Sequence, residues 1–181
     1  VSEEDAALAM DAGGIGQAGQ LGGRDFKRYA RPQEGANFFG TKAKGKRFVF
    51  VVDSSLSMNG LRWYAATQEL LRSINDLYSD TEFFVICFDY APHPIFNHYP
   101  PKNQYLINDE ETLKRVQRWI RAFQTGPETW PAQALKMAID MRPDGIFLLS
   151  DGVIRDNSVL LLRQINRDPQ SGRVMVPIHT I

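Results

Sequence analysis

A chain of 181 residues, with 21 lysines and arginines against 21 aspartates and glutamates, has room for one ordinary domain plus a tail and carries no net charge. That balance gives no support to a nucleic-acid or polybasic membrane role, and no apolar stretch approaches the ~20 residues that span a bilayer. The single cysteine, Cys87, excludes an internal disulfide and leaves the redox compartment open.

Residues 1–45 differ from the rest. The stretch 13–23 holds six glycines in eleven positions, too much backbone entropy for a helix or a strand. Residues 1–45 therefore read as a flexible Gly-rich linker or N-terminal extension, and a chain opening on Val1 rather than methionine reads as an internal segment of a longer protein. Phe38-Phe39-Gly40 is expected to pack back onto the following domain, because paired aromatics are costly to leave in water.

From Lys46 onward strands and helices alternate. Residues 48–52 are unbroken Phe and Val, the signature of a strand buried on both faces. Helical periodicity runs from Leu61 to Leu77, with Ala66, Leu70, Ile74 and Leu77 on one stripe, and the helix is expected to start beside Asp53 from about Met58. Residues 83–88 form the next buried strand and hold Cys87 as a small core residue. A proline-rich stretch follows, in which Ile95-Phe96 is expected to be a short edge strand. Asp109-Glu110-Glu111 opens an acidic first turn, and Leu113, Val116, Ile120 and Phe123 continue it as an amphipathic helix. Pro131 suits the first position of a third helix ending near Arg142-Pro143. Residues 146–150 read as a strand, 158–165 as a helix and 174–181 as a last strand. Such alternation predicts an α/β fold built on a mostly parallel sheet.

The chemistry concentrates where two of these strands end. Asp53, Ser55 and Ser57 form Asp-x-Ser-x-Ser at the end of the first run, and Asp151 ends the run 146–150. Thr129 stands just ahead of the third helix. Ligand sites of open α/β sheets lie beyond the carboxyl ends of strands, where the strand order reverses. Two carboxylates and three hydroxyls there make an all-oxygen site, which suits Mg²⁺ or Mn²⁺ better than zinc or copper. The plainer alternative is that Ser55 and Ser57 cap the following helix and Asp53 is a turn residue. Asp89, past the second strand, is either rim charge or an ordinary turn residue. Trp130 is either a binding hot spot on the rim or a hydrophobic lock for its loop.

Residues 48–60, FVFVVDSSLSMNG, resemble the opening of a von Willebrand factor A (VWA) domain with its metal-ion-dependent adhesion site. The resemblance extends to Glu128-Thr129-Trp130-Pro131-Ala132-Gln133-Ala134-Leu135, where the family has Gly-Gly-Thr-Asn and a helix carrying Ala-Leu, and to IFLLSDG at residues 146–152. It covers residues 46–181, about three quarters of the chain. It implies a doubly wound, Rossmann-like sheet with helices on both faces and a short antiparallel edge. It also implies one divalent cation (Mg, or Mn or Ca) held by Asp53, Ser55, Ser57, Thr129 and Asp151, with an open position for an acidic group of a partner protein. The family continues past its equivalent of the last strand, so the domain 46–181 is expected to be incomplete at its C-terminus, with apolar surface uncovered near that strand. Bacterial members with a Gly-rich approach and Phe-x-Gly before the first strand belong to larger, often envelope-associated proteins. Two positions depart from the family pattern: Leu56 and Glu128 stand where glycine is common.

The leading expectation is a metal-dependent protein-binding module and not an enzyme. A Mg²⁺-dependent phosphohydrolase of the haloacid-dehalogenase type needs a second Asp two residues after the first, and Ser55 stands there instead. A serine hydrolase lacks its Gly-x-Ser-x-Gly elbow around Ser55 or Ser57. A structural scaffold with a vestigial metal site remains as an alternative.

Overall fold

The computed structural model describes residues 35–98, 104–152, 154 and 156–181. The Gly-rich stretch 13–23 lies outside them. The central sheet has the order β5-β4-β3-β7-β8, with β6 also paired to β4. Its strands are β3 (Arg47–Asp53), β4 (Glu82–Phe88), β5 (Pro92–Pro94), β6 (Leu106–Ile107), β7 (Gly145–Leu149) and β8 (Ile178–Thr180). β3 runs parallel to both β4 and β7, and β7 parallel to β8, whereas β5 and β6 lie antiparallel on β4. This is a doubly wound, mostly parallel sheet with a short antiparallel edge.

The unbroken apolar runs sit where two-sided burial requires them. Phe48, Val49, Phe50, Val51 and Val52 are all fully buried, as are Phe83 to Ile86 in β4. Cys87 is buried among them, and desolvation, reinforced by Asp89 and Asp53, pushes its thiol well above the ordinary range. It is a core residue with no thiolate to offer.

Four helices among the described residues flank the sheet: α1 (Leu61–Asn75), α2 (Glu110–Ala122), α3 (Ala132–Asp140) and α4 (Ser158–Ile165). α1 buries Ala66, Leu70 and Ile74, the stripe its periodicity predicts, and Leu77 is buried just past its end. α2 is capped by Asp109, whose carboxylate accepts the backbone N–H of Thr112 at 2.7 Å. That bond holds the Asp109 carboxyl below the usual carboxylate range.

Four local expectations need correction. The helix after Asp53 starts where its periodicity starts, at Leu61, and not at Met58. Leu56–Met58 is a single 3-10 turn, and Gly60, at φ 78 and ψ −127, breaks it before α1 begins at Leu61. Ile95-Phe96 is not the edge strand. Pro92–Pro94 takes that place, and Phe96 and Asn97, both at φ 57, turn the chain out of extended geometry. The last strand is only Ile178–Thr180, since Pro177 has no N–H for the ladder and Val174 instead bridges back to Arg167. Finally, the segment 1–45 is not flexible throughout. β1 (Ala36–Phe38) and β2 (Thr41–Ala43) form an antiparallel hairpin.

That hairpin is anchored by one ring. Phe38 is fully buried and meets Phe50 edge-on at 5.3 Å and Phe147 at 6.0 Å between centroids. Phe50 and Phe147 are register partners on β3 and β7 and stack at 5.4 Å, so the hairpin closes an aromatic cluster on one face of the sheet. His179, half-buried on β8, lies against Phe147 at 5.3 Å.

Candidate metal centre

β3 was entered first and then flanked by β4 on one side and β7 on the other, so the strand order reverses between β3 and β7. Asp53 ends β3, and Asp151 follows two residues after the end of β7. Both carboxylates thus flank the crevice where a doubly wound sheet places its ligands.

Asp53 is fully buried. Its Oδ1 accepts the backbone N–H of Ser55 at 2.8 Å, and its Oδ2 accepts the hydroxyl of Ser150 at 2.7 Å. Ser55 Oγ lies 2.9 Å from Ser57 Oγ. Neither serine caps a helix: the 3-10 turn after Ser55 and α1 after Gly60 both lack a side-chain cap bond. The capping alternative for these hydroxyls therefore fails. Among the described residues no basic side chain forms an ion pair with Asp53. A buried carboxylate held by neutral donors alone is a place that favours a cation.

Thr129 reaches this end of the sheet because its loop is fastened on both sides. The N–H of Gly126 donates to Ser54 O at 2.9 Å, and Gly126 forms a parallel bridge with Ser55. On the other side the N–H of Trp130 donates to Asp89 O at 2.9 Å, and the N–H of Ala132 donates to Asp156 Oδ2 at 2.7 Å. Thr129 itself is buried. Ser54 completes the stitching, its N–H and hydroxyl both donating to Phe88 O at 2.8 and 2.9 Å.

Asp151 is engaged differently. Its Oδ2 pairs with the guanidinium of Arg62 at 2.8 Å, and the same nitrogen of Arg62 donates to Ser57 O at 3.3 Å. Among the described residues no three His, Cys, Asp or Glu side chains cluster as metal ligands. Hydroxyls and carboxylates at this end of the sheet are hard oxygen donors, a chemistry that suits Mg²⁺ or Mn²⁺.

Comparison of the sequence with protein-family models and with curated proteins finds no match. Solved structures do resemble it. A von Willebrand factor type A protein from Catenulispora acidiphila superposes with a TM-score of 0.58 at 15% identity, over 78% of this chain and 39% of that one. The conserved hypothetical protein BatB from Bacteroides thetaiotaomicron gives 0.56 at 14%, over 75% of this chain and 65% of that one. The D319A mutant of the PilB minor pilin from Streptococcus sanguinis gives 0.50 at 17%, over 83% and 40%. The fold is that of a VWA domain. At these identities the likeness concerns the fold, and the chain spans less than two thirds of the length of each of the three proteins.

Two residues at this end of the VWA-like fold were not singled out by sequence reasoning. Ser150 was read only as the end of a strand, although a hydroxyl closing an apolar run beside Asp151 was the available signal. Arg62 lies off the apolar stripe of its helix, and nothing in its local sequence points to Asp151. Asp89 is buried rather than on the rim. Its Oδ1 accepts Ala91 N–H at 3.0 Å and lies 2.8 Å from His93 Nε2, and its carboxylate rests on the backbone of Gly126. A Cβ at Gly126 would collide with that carboxylate. Glu128 adopts φ 65 and is exposed, so the left-handed backbone that explains glycine in the family is tolerated here at a cost of about 1–2 kcal/mol. Leu56, the other position where glycine is common, is not in the left-handed region and is exposed, so its side chain imposes no backbone strain.

Proposed function

We propose that this VWA domain is a divalent-metal-dependent protein-binding module and not an enzyme. Asp53, Ser55, Ser57, Thr129 and Asp151 would hold one Mg²⁺ or Mn²⁺, and an acidic group of a partner protein would complete the shell. The observation that carries the reading is Asp53. It is a fully buried carboxylate without a basic partner among the described residues, hydrogen-bonded to Ser55 and Ser150 with the Ser55–Ser57 hydroxyl pair next to it. When bound, the ion supplies an electrophile for the incoming carboxylate. The chain's own residues orient the hydroxyls and exclude water from Asp53.

The surroundings favour a protein partner. Leu56 (59% exposed), Leu61 (86%), Tyr90 (55%) and Trp130 (43%) all lie on segments that follow the carboxyl ends of strands or carry Thr129. Exposed aromatic and aliphatic side chains around a polar centre are the composition of a protein-binding hot spot. An adhesion role extends the same reading, and one structural neighbour is a minor pilin. A phosphohydrolase reading lacks its second aspartate, because Ser55 stands two residues after Asp53.

The test is calorimetric titration of Mg²⁺ and Mn²⁺ into the wild-type chain, Asp53→Ala and Ser57→Ala. Asp53→Ala should bind no metal, and Ser57→Ala, at an exposed position where folding is not at risk, should bind more weakly. Equal affinity in all three would rule the site out.

A further inference from the structure

We infer that Arg62 is a tethered competitor of the metal ion: its guanidinium pairs with Asp151 where the cation would bind and must leave for the ion to be held by both carboxylates. This rests on the metal reading above. The geometry is specific. One guanidinium nitrogen sits 2.8 Å from Asp151 Oδ2 and 3.3 Å from the carbonyl of Ser57. It therefore joins two residues that the metal would otherwise join through its own shell. Asp53 has no such partner among the described residues, so the two carboxylates divide their roles. Asp53 is held permanently by neutral donors, and Asp151 exchanges one cation for another.

The exchange is physically inexpensive. Arg62 lies in the first turn of α1 and its side chain is 65% exposed, so solvent can take up the released guanidinium. An arginine stays charged at every accessible pH, which makes the competition independent of protonation of the base. The pair also offsets the negative charge of Asp151 at the end of the sheet that holds Asp53. The consequence is a lowered apparent metal affinity, which makes loading responsive to cation concentration.

The test uses Mn²⁺ alone as the probe. Arg62→Gln removes the charge and should bind Mn²⁺ more tightly than the wild type, by roughly three- to ten-fold given the modest strength of an exposed pair plus relief of its repulsion toward the ion. Arg62→Lys keeps the charge and should stay near the wild type. In the wild type, the Arg62 side-chain NMR resonance should move as diamagnetic Mg²⁺ is added and should follow the same binding curve. Metal binding that is equal or weaker in Arg62→Gln, with an unmoved Arg62 resonance, overturns the competitor role while leaving the metal site intact. Failure of every variant and the wild type to bind metal removes the site itself, and this inference with it.

Discussion

Gly126 shows how a single position governs the approach of Thr129. Nothing in its own backbone angles demands glycine, since it is not in the left-handed region. The demand comes from Asp89, whose carboxylate occupies the space a Cβ would need. Asp89 is in turn fixed by Ala91 and His93, so it cannot swing aside without losing both contacts. Gly126→Ala should destabilise the domain by about 1–3 kcal/mol, the usual cost of overpacking a fixed site. It should also weaken metal binding by displacing Thr129. Combining it with Asp89→Ala should cost less than the sum of the two single changes, since they share one clash. Urea denaturation of the four chains measures this, and strict additivity would show that the two residues do not touch. The glycine was visible in the sequence. Its reason was not, because Asp89 is 37 positions away and only the folded chain brings its carboxylate onto that backbone.

At the scale of elements, the hairpin is the part whose placement matters most and whose sequence says least. Two three-residue strands carry too little periodicity to declare themselves. Phe38 is what holds them, by packing edge-on against Phe50 and Phe147. Phe38→Ala should cost about 3–5 kcal/mol, as for other buried aromatic truncations. That is a large fraction of the 5–15 kcal/mol typical of a whole domain. The expected result is a much lower urea midpoint with loss of hairpin amide protection. A midpoint within error of wild type would place the hairpin outside the cooperative unit. The long elements behaved in the opposite way. β3, β4 and β7 follow their apolar runs and α1 follows its stripe, because each is long enough for burial to dominate the pattern. Departures came at prolines and left-handed residues, where local backbone geometry overrides side-chain pattern.

For the whole molecule, metal loading and folding should be linked. An ion bound only by the folded chain, at about 100 times its dissociation constant, adds about 2.7 kcal/mol of stability. At roughly 2–4 °C per kcal/mol for a chain of this size, the melting temperature should rise by about 5–10 °C. Chelation should reverse the rise, and Asp53→Ala should show none. A melting curve indifferent to Mg²⁺ and Mn²⁺ in the wild type would deny the linkage. Elsewhere on the molecule, Val159, Leu160, Val174 and Met175 are exposed, and a groove lined by Val159, Leu162, Arg163, Asn166, Arg167, Val174 and Ile178 runs between α4 and β8. By itself the sequence determined the buried strands, the helical stripes and the placing of Asp53 and Asp151 at strand ends. Two-sided burial demands continuous apolar residues, and a strand that stops at a carboxylate announces where the chain leaves the core. Only the tertiary structure decided the contacts these residues make: Ser150 on Asp53 across 97 positions, Arg62 on Asp151 across 89, and Phe38 in the aromatic cluster. Those contacts depend on which strand lies beside which, and local spacing carries no record of that.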